Sequence, residues 1–224
     1  MDLINKPTLA IIGGTGKEGL GLAYRWAKCG YPIIIGSRSL DKAYAAVEEL
    51  KKIAGEEINV TGDTNPQAAQ KGDILVLTVP FSAHAATCES LIEQAQGKIV
   101  IDVAVPLVPP KVAKVQMPPE GSAAQQAQLI LGQGVQVVAA FQNISYENLL
   151  TDEVVDCDVL VCGSGKEARE LVVSMISEMG LTAWNAGPIE NAVVVEGFTS
   201  VLIGLNKQFG VKSSGIRITG IERH

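Results

Sequence analysis

The sequence predicts an α/β protein built on a doubly wound, mostly parallel sheet, and three observations carry that expectation. An apolar run, Leu9 to Ile12, leads straight into the turn Gly14-Thr15-Gly16-Lys17-Glu18-Gly19. Further apolar runs follow without polar alternation, the pattern of strands covered on both faces. Between them lie helical segments long enough to serve as right-handed crossovers. In the turn, Gly14 permits the tight bend, Gly16 lets the backbone approach a pyrophosphate, and Gly19 lets helix pack on strand. The free N–H groups at the helix start favour negative charge. With 23 glycines in 224 residues a G-x-G-x-x-G can arise by chance; the strand before it and the helix after it give it weight. The expected fold is therefore Rossmann-like, with Gly14, Thr15, Gly16, Lys17, Glu18 and Gly19 at a dinucleotide.

The next elements select the dinucleotide. A helix from Leu20 to Cys29 precedes the strand Pro32 to Gly36, and that strand ends in Ser37-Arg38, where an NAD enzyme usually places Asp or Glu for the ribose 2′-hydroxyl. A guanidinium fits the oxygens of a 2′-phosphate. Ser37 adds a hydroxyl and Lys42, one helical turn on, a point charge. Ser37, Arg38 and Lys42 predict NADP(H); the alternative is that Arg38 and Lys42 are solvated charges at a helix start.

The remaining elements continue the alternation. A helix is expected from Asp41 to Ile53, with Tyr44, Val47 and Leu50 on its inner face and Gly55 closing it. A strand follows near Ile58 to Thr61, and the turn Gly62 to Pro66 opens a short helix to Gln70. Asp73 to Pro80 is the clearest later strand, stopped by its proline. Helix Ser82 to Gln94 and strand Lys98 to Val103 come next. Residues Pro106 to Gly121 hold five of the ten prolines and read as an irregular loop, a lid or a dimer contact. Ser122 caps a helix to Leu131, and Val135 to Phe141 is a sixth strand, all parallel. The smaller C-terminal α/β part, residues 146–224 against a dinucleotide domain of 1–145, has strand Asp158 to Cys162 and helix Lys166 to Met179. In that helix Leu171, Val172, Met175 and Met179 form one stripe. Strand Leu181 to Trp184 and a long apolar helix, Glu190 to Phe209, complete it. So apolar a helix suits a core or dimer position.

Composition narrows the class. At 47% hydrophobic residues and positive mean hydropathy the chain is not disordered. No apolar run reaches the 18 or so residues of a membrane span, and MDLINKPTLAII lacks the layout of a secretory signal. A formal charge of −6 argues against nucleic acid or an anionic membrane as partner. Cys29, Cys88, Cys157 and Cys162 show no metal-ligand spacing and read as reduced thiols, so no metal site and a cytoplasmic setting are expected.

Ligand crevices in such sheets lie beyond the carboxyl ends of the strands. Those ends offer Val79 to Ser82, Ala104 and Val105, and Gln142 to Ser145, with no paired carboxylates. Oxidising an alcohol needs a general base. Tyr146 and Lys17 are the only candidates and form no recognised dyad, whereas hydride transfer between two heterocycles needs stacking and orientation alone. His84 reads as a surface or helix-start histidine with a secondary catalytic reading.

These residues resemble a known family. GGTG-x-x-G, the GSR at Gly36 to Arg38 with Lys42, VLTVP at Val76 to Pro80 followed by His84, AFQN at Ala140 to Asn143, DVLVCG at Asp158 to Gly163 and NAGP at Asn185 to Pro188 are similar to the NADPH-dependent coenzyme F420 reductases. The resemblance implies hydride exchange between nicotinamide C4 and deazaflavin C5 in a homodimer. It implies that Thr15, Gly16, Ser37, Arg38 and Lys42 hold NADP, that Val79 and Pro80 support the nicotinamide, and that Gln142, Asn143 and Ile144 lie against the deazaflavin. Some members carry His where Gln142 stands, and Gln hydrogen-bonds but cannot shuttle protons. The tail Val211 to His224, with Arg217 and Arg223, is expected either to place positive charge near the acidic side chain of the deazaflavin or to be a dimer arm or frayed end. Two further classes stay open: an NADPH-dependent reductase with a flavin, quinone, imine or ferric chelate as acceptor, and a non-catalytic NADPH sensor.

Overall fold

The computed structural model describes residues 6–222. Chain order gives β1 (Leu9–Ile12), α1 (Lys17–Lys28), β2 (Ile33–Ser37), α2 (Leu40–Ala54), β3 (Val60–Thr64), α3 (Asn65–Lys71), β4 (Ile74–Leu77), α4 (Phe81–Ser90), α5 (Ile92–Ala95) and β5 (Ile99–Asp102). Then come α6 (Ala123–Leu131), β6 (Gln136–Ala139), α7 (Tyr146–Leu149), β7 (Asp158–Gly163), α8 (Lys166–Glu178), β8 (Thr182–Gly187), a 3-10 turn at Ile189–Asn191 and α9 (Ala192–Phe209). All eight strands form one sheet in the order β3-β2-β1-β4-β5-β6-β7-β8. The first six are parallel, and β1 and β4 are adjacent, so the crevice expected of a doubly wound sheet opens at their carboxyl ends.

The sheet carries two apolar layers. Leu9, Ile11, Ile33, Ile35, Val76, Ile101 and Val138 face Trp26, Leu50, Val172 and Met175 of α1, α2 and α8. Ala10, Ile12, Leu75, Leu77, Val100 and Val137 face Ala68, Cys88, Leu91, Ala127 and Val195 on the other side. Alternate strand residues feed opposite layers, which is why these strands are apolar throughout. Both layers draw on residues before and after 145, so one core runs through the chain.

β7 breaks the parallel pattern: Ala139 pairs with Cys162 and Val138 with Gly163 in antiparallel register, so the sheet is mostly parallel, as expected, with one antiparallel step after the sixth strand. Residues 140–157 therefore leave and re-enter the sheet at its cleft end. β8 runs parallel to β7 and finishes at the opposite end, and α9, 18 residues and about 27 Å long, returns the chain to the cleft.

The 140–157 segment has little regular structure, and its carbonyls find a partner in Arg25. This guanidinium, 8% exposed, donates to the carbonyls of Asn148 at 2.8 Å, Leu149 at 3.1 Å, Thr151 at 2.7 Å, Glu153 at 3.3 Å and Met179 at 3.2 Å. Phe141 opens the segment with φ 77°, a left-handed backbone in a non-glycine residue, held by edge-on packing against Trp26 at 5.6 Å.

Several expectations shift. Gly62 to Thr64 belong to β3, where they continue the register with Ile35 to Ser37, and are not a turn. The helix after β4 divides at Leu91 into α4 and α5. Tyr44, 52% exposed, lies outside the inner face of α2, which Ala43, Ala46, Val47 and Leu50 supply. Leu171 is likewise exposed, leaving Val172, Met175 and Met179 as the buried stripe of α8. Residues Ile189–Phe209 are long and apolar enough to cross a membrane by length and composition, with a mean hydropathy of 1.2, contrary to the reading that no such run exists. Wholly buried Glu196, which donates no apolar surface and accepts the N–H groups of Ala123 and Ala124 at 2.7 and 3.1 Å, ties this helix to the sheet layer.

Removing Arg25 leaves several buried carbonyls without a donor. Arg25→Ala is expected to cost about 3 kcal/mol or more, and Arg25→Lys to recover less than half. Urea denaturation with intrinsic tryptophan fluorescence measures both.

Candidate active site

The turn after β1 is set by three close approaches. Gly13, with φ +75°, takes the left-handed conformation, one residue before the Gly14 to which the sequence assigns the tight bend, and a Cβ there would lie 2.5 Å from Val79 Cγ1. Gly14 is buried against Ile11, where a Cβ would stand 2.8 Å from the carbonyl oxygen. A Cβ on Gly19 would stand 2.7 Å from Gly14 Cα and 2.8 Å from Thr78 Oγ1, so α1 packs against β1 and β4 at backbone distance. Gly16 has open space above it, with only the Gly13 carbonyl at 4.0 Å. Gly14 and Gly19 thus shape the turn, and Thr15, Gly16, Lys17 and Glu18 line the cleft.

That cleft, about 1190 Å³, exceeds the usual range for one small ligand of roughly 300 to 1,000 Å³. At one end stand Ser37, Arg38 and Lys42; Ser37 Oγ also accepts the Ser39 N–H at 3.2 Å and so shapes the entry to α2. Asn65, missed in the sequence, sits beneath the turn and accepts the Gly13 N–H at 3.1 Å. Its signal was the Asn-Pro at a strand end. Val79 and Pro80 line the middle.

The other wall joins distant parts of the chain. Gln142, 4% exposed, donates from Nε2 to the Asp102 carbonyl at 2.7 Å, and Thr199 of α9 donates to the Gln142 carbonyl. Gln142 Oε1 is buried and has no partner among the described residues. An orphaned acceptor costs about 1–3 kcal/mol, and a ligand N–H in the cleft would satisfy it. Ile144 offers an apolar face, while the Asn143 amide is committed to β7, donating to the Asp158 carbonyl and accepting from the Leu160 N–H at 3.4 Å. Asn143 therefore meets the cleft through its main chain. Leu202, Ile203, Asn206, Lys212 and Ser214 complete this wall and were absent from the sequence-derived set, since only the β7 reversal brings α9 and the tail here.

His84 corrects its sequence reading. It stands in the first turn of α4 but is fully buried, with Nε2 2.7 Å from Asp102 Oδ2 and Nδ1 3.4 Å from Gln126 Oε1. Both ring nitrogens face acceptors, which favours the imidazolium. Burial alone would push its pKa down, but the Asp102 charge and hydrogen bond override this and raise it. Asp102 Oδ1 accepts the Ala104 N–H at 2.9 Å. The pair thus fixes the β5 end rather than facing the reaction space. Of the tail residues, Arg217 pairs with Asp156 at 3.2 Å and does not line the cleft, and Arg223 lies outside the described residues.

Lys17 Nζ approaches Tyr146 Oη at 3.3 Å and lies over its ring. Glu18 is the only carboxylate among the described cleft-lining residues. Desolvation raises its pKa to about 8, so near neutral pH it holds a proton and Lys17, Arg38, Lys42 and Lys212 make the cleft cationic.

A glycine turn at the switch point of a doubly wound sheet, a cationic pocket after β2 and an apolar second wall define a dinucleotide-dependent oxidoreductase. A family model described as "NADP oxidoreductase coenzyme F420-dependent" matches residues 8–106. The F420-dependent NADP reductase of Methanocaldococcus jannaschii is 40% identical over 222 residues, 96% of this chain and 99% of that protein. The enzyme of the same name from Methanothermobacter thermautotrophicus is 42% identical over 220 residues, 95% of each. A solved structure of a candidate F420-dependent NADP reductase from Arthrobacter shares the fold, with TM-score 0.78, 22% identity, and coverage of 91% of this chain and 95% of that one. The chain belongs to the F420-dependent NADP reductase family.

Glu18 sets a pH dependence. Between about 4.5 and 8 the folded chain keeps a proton that the unfolded chain has released, so stability falls as pH rises through that window and levels off above it. Glu18→Gln should match wild type near pH 4.5 and melt a few degrees higher at pH 8, about the shift that 1 kcal/mol produces. Differential scanning calorimetry across pH checks this.

Proposed function

We propose that this chain transfers hydride between NADP(H) and coenzyme F420 in one cleft, with NADP along the Gly13 to Gly19 turn and the deazaflavin against Gln142 and Ile144. The single observation that carries the reading is the pairing of an arginine-lined pocket after β2 with an apolar wall bearing one orphaned acceptor. The reaction moves a hydride from nicotinamide C4 to deazaflavin C5, and one solvent proton completes the reduced deazaflavin, so that NADPH, F420 and a proton give NADP and reduced F420.

The residues act by binding and orientation. Thr15, Gly16 and the N–H groups opening α1 hold the pyrophosphate, and Ser37, Arg38 and Lys42 take the 2′-phosphate. Val79 and Pro80 back the nicotinamide. Gln142 Oε1 accepts an N–H from a ring edge and fixes its rotation, and Leu202 and Ile203 keep water from the reacting face. No group on this chain needs to abstract a proton, in keeping with a cleft that lacks a paired base.

We read the boundary near residue 145 as functional: residues 1–145 carry the donor site together with Gln142 and Ile144 of the acceptor wall, and residues 146–224 complete that wall. We assign the exposed apolar residues Val193, Val194, Val201 and Leu205 of α9 to a homodimer contact. The free thiols of Cys29, Cys88, Cys157 and Cys162 suit the cytoplasm.

Mixing NADPH with oxidised F420 should bleach the deazaflavin absorbance; no bleaching, with a flavin or imine reduced instead, would overturn the acceptor. Arg38→Ala should raise KM for NADPH by roughly 10- to 100-fold, the value of one or two charge-assisted hydrogen bonds, and leave KM for NADH within about twofold. Equal loss for both would remove the phosphate role.

A further inference from the structure

Four side chains form a continuous hydrogen-bonded row behind the acceptor wall. Glu120, at the end of the irregular loop before α6, accepts from Gln126 Nε2 at 3.2 Å, which turns the Gln126 oxygen toward His84 Nδ1 at 3.4 Å. His84 Nε2 donates to Asp102 Oδ2 at 2.7 Å, and Asp102 Oδ1 accepts the Ala104 N–H at 2.9 Å. His84 and Asp102 are fully buried, and neither is among the described cleft-lining residues. Phe81, which does line the cleft, stacks on the imidazole with ring centroids 6.0 Å apart and shields it from the reacting space.

The row ends on the Asp102 main-chain carbonyl. This oxygen takes two donors, the Ala140 N–H at 3.2 Å and Gln142 Nε2 at 2.7 Å. A carbonyl can only accept, so it selects the NH2 of the Gln142 amide and turns the amide oxygen away from itself. That oxygen, Oε1, is the one buried side-chain polar atom without a partner among the described residues. The Thr199 hydroxyl holds the main chain of the same residue by donating to the Gln142 carbonyl. The aim of Oε1 therefore depends on where the Asp102 carbonyl points, and both carboxylate oxygens of Asp102 are tied down beside it. An apolar pair of similar volume is often as stable as a buried ion pair. Stability alone thus gives no reason for ions in this place, whereas a fixed direction does.

We propose that His84 is a positioning residue for hydride transfer: through Asp102 it fixes the Gln142 amide, so that Oε1 meets the N–H of the acceptor ring in one orientation. His84 touches neither ring and moves no proton. The inference rests on the reading of Gln142 against the deazaflavin given above and adds the residue that holds it there.

A double-mutant cycle tests this. The full chain is compared with His84→Asn, whose amide is too short to reach Asp102 Oδ2, His84→Gln, which keeps a donor near the Nε2 position, Gln142→Leu, and the double variant His84→Asn/Gln142→Leu. Gln142→Leu is expected to lower kcat/KM for F420 by about three- to tenfold, the value of one neutral hydrogen bond. His84→Asn should lower it by about the same factor and His84→Gln by no more than about twofold. In the Gln142→Leu background His84→Asn should change it by no more than about twofold, because the amide it acts through is gone. KM for NADPH should stay within about twofold in every variant. A His84→Asn loss that persists undiminished in the Gln142→Leu background, or that strikes NADPH equally, marks a structural role only and overturns the proposal while leaving the F420 reading intact. Should His84→Asn not fold, Gln126→Leu takes its place in the cycle: it removes the Nδ1 partner from a half-buried position on α6 outside the cleft. The same non-additivity is then expected on a loss of about two- to threefold, and no loss overturns the proposal. An unchanged kcat/KM in Gln142→Leu overturns the Gln142 contact together with this inference, and no reduction of F420 by wild type overturns the F420 reading itself and the inference with it.

Discussion

Arg25 satisfies carbonyls that the topology leaves stranded. Because β7 returns antiparallel to β6, residues 140–157 cannot bury themselves as a crossover helix on a sheet face; they must turn at its end, with only the short α7 to pair their own backbone. Buried carbonyls need donors, and a guanidinium with five N–H groups in a fixed fork can serve several at once. Charge is not balanced by direct contact: Asp152, the nearest acidic influence, is held by Tyr24 at 2.9 Å and by Lys28. The guanidinium is stabilised by carbonyl dipoles, and it joins the Phe141–Trp26 and Tyr24–Asp152 contacts in seating this segment on α1.

Polar chemistry in this fold is mostly spent on shape. His84 and Asp102 lie fully buried behind the cleft, where an imidazolium and a carboxylate offset each other and hold the turn after β5. Glu196 performs a related task for α6: its carboxylate receives two N–H groups at the helix start, where the helix dipole favours negative charge, although desolvation still raises its pKa to about 8. The reacting space itself is left to glycine backbone, apolar side chains and a single unpartnered amide oxygen. That division suits a reaction in which two rings must lie face to face and no proton has to be taken from a hydroxyl group.

Legibility in the sequence followed the range of the interaction. Strands β1, β2, β4, β5 and β6 are legible because each is largely apolar with glycine or proline close by, whereas the polar second half of β3 is not; the turn Gly13 to Gly19 and Ser37, Arg38 and Lys42 are legible because they sit at local offsets from strand ends. That Gly13 carries the positive φ has no local signal, and the contact that excludes a side chain there is with Val79, 66 residues on. Nothing near His84 in the sequence reveals that Asp102 closes over it. The reversal of β7 has no local signature: Asp158 to Gly163 is as apolar as a parallel strand. The α9 and tail contribution to the cleft follows from that reversal and was hidden with it.

The same reversal also decides which parts of the chain meet at the site. The glycine turn, the Arg38 end of the cleft and its Val79–Pro80 middle all lie within the first 80 residues, while the opposite wall includes Thr199, Leu202 and Lys212. The two walls of the cleft therefore lie far apart along the chain, and only the closing of the sheet through β7 and β8 sets them face to face.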